Sequence, residues 1–214
     1  MAFNFATRHL SAQQQNIIRA RKENDERLKQ ESSIIKHSFI YEISIMMKLG
    51  NDLDVKVDGK MKLGNDLDVK VDGNKTMKIY KDFCDKNRSV WFSTNSHPKG
   101  IGKQKYKEFT DAINKGNTVE MFFIIGKGCN GTNNIEYRAE VLDIESDADG
   151  IYSPDVNLTP MEYKKENKKI WIKISNLQKV NELSVKDFVI ASTKKDLKEA
   201  IEGSQYHFGY IKRK

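Results

Sequence analysis

Apolar residues in this chain of 214 residues are concentrated after about residue 75, and they recur there with two different spacings. Where they lie three or four positions apart they indicate amphipathic helices, because a helix turns once every ~3.6 residues. Where they alternate with polar residues, or form a short continuous run, they indicate strands. Helices are predicted at 76–86 and 104–115, a helical turn at 197–202, and strands at 89–94, 119–125, 135–144, 169–174 and 188–191.

The order of these elements does not follow the regular strand–helix alternation of a doubly wound fold. Several strands with a few short helices predict an α+β fold, in which a mixed β-sheet is curved or barrel-like and is flanked by the helices. The run at 119–125 (VEMFFII) is continuously apolar, so we expect this strand to be central in the sheet.

The chain before this apolar region divides into two parts. Residues 1–36 are rich in helix formers but have almost no apolar periodicity, which predicts a solvated helical arm or a partly disordered segment. Residues 37–74 are predicted as a strand or hairpin segment that contains a duplicated unit of 13 residues. Residues 75–214 are then predicted to form the folded domain.

The duplicated unit has the sequence MKLGNDLDVKVDG and occurs at 47–59 and again at 61–73. Two identical copies indicate a recent tandem duplication rather than a solenoid, whose repeats are more numerous and diverge. The aspartates do not form an EF-hand, because Lys56 and Asn65 stand where the calcium loop needs an oxygen ligand and a bidentate glutamate.

The charge of the chain changes the range of partners to consider. It has 37 Lys and Arg against 30 Asp and Glu, a formal net charge of +7. The excess is in the last quarter, since residues 161–214 hold 13 basic and 7 acidic residues. This distribution is compatible with a nucleic-acid partner and equally with a solvated basic face.

Several classes of protein are not expected. No run of roughly 18 apolar residues exists to span a membrane, and the first residues lack the apolar core of a secretory signal. The two cysteines, Cys84 and Cys129, cannot build a disulfide scaffold, so an intracellular location, cytoplasmic or nuclear, is expected. No metal-ligand cluster, phosphate loop or catalytic set is present, and we therefore expect no cofactor, no metal and no enzymatic activity.

Trp91 is the most informative aromatic residue. It lies in the predicted strand at 89–94 (SVWFST) and is followed by the loop at 95–100. An indole in that place can stack on a nucleobase, which is worth about 1–3 kcal/mol. The alternative is a core tryptophan that packs on the helix at 104–115.

The sequence resembles the YTH domain of the wider PUA-like, EVE and YTH superfamily. The resemblance covers about residues 75–205, and its specific part is the order and spacing of short motifs. These are SVWFST, the helix QKYKEFTDAI, the strand VEMFFII, a Gly loop, EYRAEVLDIES, KIWIKISN and DFVIAST.

This resemblance implies a reader of a methylated base held in an aromatic cage, most often N6-methyladenosine in RNA. Trp91 matches the first cage tryptophan of the family. The other walls would come from the segment at 151–168, where Tyr152 and Tyr163 are the aromatic candidates and no tryptophan is present. A cage of this kind gains roughly 0.8 kcal/mol per buried carbon from the methyl group, and its indole must be open to solvent.

Polar contacts to the base and to phosphates are also implied. Ser93 and Thr94 follow Trp91 and are candidates for hydrogen bonds to the base. Asn74 matches a family asparagine that contacts the base edge, and its alternative role is a turn or helix cap. Phosphate contacts are expected from three lysines near the C-terminus, which are alternatively solvated surface charges. They are Lys194, Lys195 and Lys198.

Three functions are therefore open. The chain is a reader of methylated adenosine in single-stranded RNA, a related reader of modified bases in DNA that belongs to a restriction system, or a protein-interaction domain that binds no nucleic acid. Trp171 is predicted to be structural, because Ile170, Ile172 and Ile174 take the core face of their strand. The oligomeric state stays open.

Overall fold

The computed structural model describes residues 39–50, 73–203 and 206–214, which form an α+β unit with one mixed sheet of seven strands. The predicted fold class is confirmed at this level. The strands are β1 (Ser44–Leu49), β2 (Ser89–Thr94), β3 (Val119–Ile125), β4 (Ile135–Ile151), β5 (Lys168–Lys179), β6 (Phe188–Ile190) and β7 (Phe208–Arg213). The helices are α1 (Gly73–Asn87), α2 (Lys103–Asn114) and α3 (Leu197–Gly203).

The strand order is β2-β5-β4-β3-β1-β7-β6, so β2 and β6 are the two edges and the sheet is not closed. β1 runs parallel to β3, and the other pairs are antiparallel. β1 lies between β3 and β7, inside the sheet, although it comes from the segment at 37–74. It therefore belongs to the same compact unit as the domain predicted at 75–214, and this unit spans Phe39–Lys214.

β3 is central, as its continuous apolar run predicted. All seven of its residues are buried, because apolar clusters cover both faces of the sheet at this strand. Met121 and Phe123 belong to the larger cluster, while Phe122 and Ile124 belong to the smaller one on the other face.

The larger cluster is covered by the helices. α1 buries Met77, Tyr80 and Cys84, which lie three and four positions apart on one face of the helix. α2 buries Phe109 and Ala112 against the same cluster. We call the face of the sheet toward this cluster the inner face and the opposite face the outer face.

The sheet curves strongly without closing. The end of β2 comes back toward β1 and β7 across the inner face: Thr94 Oγ1 lies 3.8 Å from Met47 Sδ, and the rings of His97 and Phe208 are 6.3 Å apart. β4 is longer than predicted, with 17 residues, and its pairing with β5 contains several register shifts. Such bulges bend a strand, which is the physical reason for the curvature.

Two sets of predictions lie outside the described residues. The arm at 1–36 is one, and most of the duplicated unit, from residue 51 to 72, is the other. No helix in the described parts of the chain is long and apolar enough to cross a membrane.

Candidate functional site

Trp91 points to the outer face of the edge strand β2. Its neighbours Val90 and Phe92 belong to the larger cluster on the inner face, and successive side chains of a strand point to opposite faces. The indole is nevertheless only 4% exposed, so it is not open to solvent as a preformed cage requires. The burial agrees with the alternative of a core tryptophan, but Phe109 and Ala112 of the helix named in that alternative pack on the inner face.

The indole nitrogen of Trp91 is buried and has no hydrogen-bond acceptor among the described residues. The second tryptophan gives a direct contrast. Trp171 is fully buried on the outer face, as predicted, and its Nε1 donates to the carbonyl oxygen of Ile151 at 3.0 Å. An unsatisfied buried donor costs about 1–3 kcal/mol. An acceptor that reached Trp91 Nε1 would therefore be stabilising.

Lys173 of β5 lies directly opposite Trp91 in the register between the two strands. Directly paired residues of an antiparallel ladder share a face, so this lysine is on the outer face beside the indole. No ion pair of Lys173 is found within the described residues. Sequence reasoning missed Lys173, although the alternation in KIWIKI already places it on the same face as Trp171.

Two carboxylates lie on the same face next to these residues. Asp143 pairs with Lys173 in the β4–β5 register, and Glu145 pairs with Trp171. Burial, and then the nearby Asp143 carboxylate, raises the pKa of Glu145 above its ordinary value of 4.5. The outer face around Trp91 therefore carries both signs of charge. Among the described residues no group of three or more His, Cys, Asp and Glu side chains is arranged to hold a metal ion.

A short segment at 152–160, which we call the cover segment, contacts β2 through its 3₁₀ turn at Val156–Leu158. Since α1 takes the inner side of β2, where Tyr80 meets Phe92, we infer that this turn covers the outer side. The side-chain hydrogen bonds of the cover segment stay within it, as between Ser153 and Thr159.

Tyr152, the first residue of the cover segment, remains a candidate for contact with a ligand. Its side chain is 65% exposed, and it directly follows Ile151, whose carbonyl receives the hydrogen bond from Trp171. Tyr152 therefore follows, along the chain, a residue that is hydrogen-bonded to Trp171 on the outer face.

Tyr163 packs on Tyr80 of α1. Its ring stacks on that of Tyr80, with centroids 4.8 Å apart and planes 5° from parallel, and it packs against the larger cluster. Tyr80 in turn meets Phe92 on the inner face of β2. The stack with Tyr80 occupies one face of the Tyr163 ring, and the predicted pairing of Trp91 and Tyr163 as two walls of one cage stays a prediction.

The hydroxyl groups predicted to read the base already have partners in the chain. Ser93 Oγ lies 3.3 Å from the Tyr80 hydroxyl. Thr94 is buried, and its Oγ1 donates to Ser96 Oγ at 2.9 Å and accepts from the Ser96 amide at 3.0 Å.

Asn74 stands in the first turn of α1, where its side chain joins the helix to the Gly loop. Its Nδ2 donates to the carbonyl oxygen of Cys129 at 2.7 Å. This contact fits the alternative structural role of Asn74 better than a contact to a base edge.

The three lysines predicted to bind phosphate lie beyond β6, at the edge of the sheet opposite β2. Lys194 Nζ donates to the carbonyl oxygen of Ala191 at 3.0 Å, and Lys198 is 3.8 Å from Glu202 in an ion pair. Lys195 is exposed. Counted along the sheet, the two edges are six strand spacings apart, or roughly 29 Å.

Comparison with protein-family models, curated proteins and solved structures gives no match.

Proposed function

We propose that this chain is a non-catalytic binding module for single-stranded nucleic acid, in which one methylated base is held against Trp91 on the outer face of β2. N6-methyladenosine in RNA is the base that the resemblance to YTH domains implies. The curved α+β sheet, with a tryptophan on its edge strand, supports this proposal at the level of fold class.

The observation that carries the proposal is the unsatisfied indole nitrogen of Trp91. A nucleobase offers ring nitrogens and carbonyl oxygens that accept hydrogen bonds, and a flat surface that stacks on an aromatic ring. Binding one base would therefore supply the missing acceptor and add a stacking energy of about 1–3 kcal/mol.

The base reaches the indole when the cover segment moves away from β2. The exposed apolar side chains of this region, Tyr152, Val156 and Met161, are then available to pack on the base and its methyl group. Burial of the methyl carbon contributes about 0.8 kcal/mol, which corresponds to roughly a four-fold preference over the unmethylated base.

The test is a binding titration that uses the intrinsic fluorescence of Trp91. The chain has two tryptophans, so Trp171→Phe leaves Trp91 as the sole tryptophan fluorophore and Trp91→Phe leaves Trp171. The titrants are a short single-stranded RNA with one N6-methyladenosine, its unmethylated counterpart, and the same pair as DNA. The Trp171→Phe variant is expected to show quenching with methylated RNA, because a base stacks on its remaining indole.

Trp91→Phe serves as the matched control and is expected to show no comparable signal and a loss of preference for the methylated strand. Preference for methylated DNA over methylated RNA would favour the restriction-type reader instead. Absence of binding to any strand, with both variants folded by circular dichroism, would reject the proposal in favour of a protein-interaction domain.

A further inference from the structure

An open groove lies where α1 ends and β2 begins. Its volume is about 550 Å³, which is in the range of small-ligand sites. α1 and the residue after it contribute Lys81, Cys84, Asp85 and Arg88, and the bulged part of the β4–β5 ladder contributes Arg138, Glu140, Asn176, Leu177 and Gln178.

The basic groups of the groove are only partly neutralised. Lys81 pairs with Asp85 at 2.5 Å, and Arg138 lies 3.6 Å from Glu120. Arg88 is exposed, and no ion pair of its guanidinium is found within the described residues. Glu140 is the acidic group of the lining that has no ion pair in the same part of the chain.

Arg88 occupies an unusual backbone position. Its φ angle is +66°, at the turn that ends α1, where glycine is the favoured residue. An arginine in this place is less favourable for the fold than glycine, and its side chain lines the groove.

The groove is continuous with the surroundings of Trp91. Arg88 directly precedes β2 and lies three residues, or about 10 Å of extended chain, from Trp91. Between them Ser89 pairs with Ser175, which pairs with Glu140 of the groove. Directly paired residues share a face, so Glu140, Ser175 and Ser89 lie side by side on the outer face. These polar residues connect the groove to Trp91 and Lys173.

We infer that Lys173 and the groove at Arg88 and Arg138 bind the phosphates of the strand next to the base held by Trp91. This inference rests on the proposed function and names the path of the strand. Guanidinium groups suit phosphate because they donate two parallel hydrogen bonds, and a lysine adds a point charge. The path runs along β2, at the opposite edge of the sheet from Lys194 and Lys195.

The test compares two double variants of the full chain that remove the same charge at the two edges. Arg88→Gly with Lys173→Gln changes the proposed path. Lys194→Gly with Lys195→Gln is the matched control, because Lys194 also has a positive φ, +61°, and glycine is favoured at both positions. The measurement is the slope of log K against log salt for the methylated and unmethylated RNA.

Each lost phosphate contact lowers the magnitude of this slope by about 0.7 for a single strand. The first variant is therefore expected to lose about 1.4 from the slope with both RNAs, and the control is expected to lose nothing. Glu140→Gln should tighten binding of both RNAs, because it removes a carboxylate that faces the phosphates.

Loss of slope in the control alone, or equal loss in both variants, would overturn the inference. An unchanged slope in the first variant, with preference for the methylated RNA intact, would overturn the inference but leave the proposed function standing. The expected slopes without any methyl preference would support the phosphate path and reject the reading of methylation. Polyglutamate serves as a probe for an acidic protein partner. If the chain bound polyglutamate but not RNA, and the Arg88 and Lys173 substitutions weakened that binding, the groove would be a site for acidic protein and the inference would fail.

Discussion

The two tryptophans provide a comparison in which one chemical change is made at two matched positions. Trp91 and Trp171 are 4% and 0% exposed, both point to the outer face, and they lie on neighbouring strands. They differ in one respect: Trp171 Nε1 donates to Ile151, and Trp91 Nε1 has no acceptor among the described residues. Replacement of each by phenylalanine removes similar apolar volume, so the difference between the variants reports on the hydrogen bond.

The magnitude follows from the cost of a buried donor. Trp171→Phe loses a hydrogen bond worth about 0.5–1.5 kcal/mol, and Trp91→Phe removes an unpaired donor whose burial costs about 1–3 kcal/mol. We therefore expect Trp171→Phe to be less stable than Trp91→Phe by about 1.5–4.5 kcal/mol.

Urea unfolding followed by circular dichroism measures this difference. With a denaturant slope of about 1–3 kcal/mol per molar urea, the midpoint of Trp171→Phe should be lower by about 0.5 M or more. Equal midpoints, or a lower midpoint for Trp91→Phe, would refute the reasoning. The indole of Trp91 would then already be satisfied, and the main support for a base at this position would be lost.

Two further predictions test the surroundings of Trp91. Tyr163→Ala should lower the thermal midpoint, since the ring stack with Tyr80 is worth about 0.5–1.5 kcal/mol beyond its buried area, while Tyr163→Phe should change little. Neither variant should alter preference for a methylated strand, and a loss of preference in Tyr163→Ala would make this ring a cage wall after all. Glu145→Gln should stabilise the protein at neutral pH and have no effect well below pH 4.5. The raised pKa of Glu145 means that the folded state binds the proton more tightly, so stability is lost as pH rises from 4.5 through the folded pKa. Urea midpoints across this pH range check the sign, and a gain that is also present in acid would contradict it.

Much of the fold could be predicted from the sequence, because it depends on local patterns. The alternation in KIWIKI separated the buried isoleucines from Trp171, and the continuous run of β3 indicated a strand covered on both faces. The predicted helix at 76–86 is α1, which extends to Gly73 and Asn87.

The candidate site was harder to predict because it depends on which elements cover each face. Strand alternation places Trp91 and Phe92 on opposite faces of β2. Which of these faces is covered by α1 depends on tertiary packing, and a local pattern does not contain that information. For the same reason the pattern could not place Tyr163 against Tyr80. Arg88, which lines the groove, has a positive φ angle, and residue spacing does not reveal such an angle.

The position of β1 has a consequence for the history of the chain. Leu49 at the end of β1 and Gly73 at the start of α1 are neighbours, since a Cβ added to Gly73 would lie 2.9 Å from that of Leu49. The two ends of the connection that holds the duplicated unit therefore lie at almost one point. Doubling the length of a connection between two neighbouring ends costs only about 0.6 kcal/mol. Whole copies can be gained or lost in evolution there, while the strand and the helix on either side keep their places.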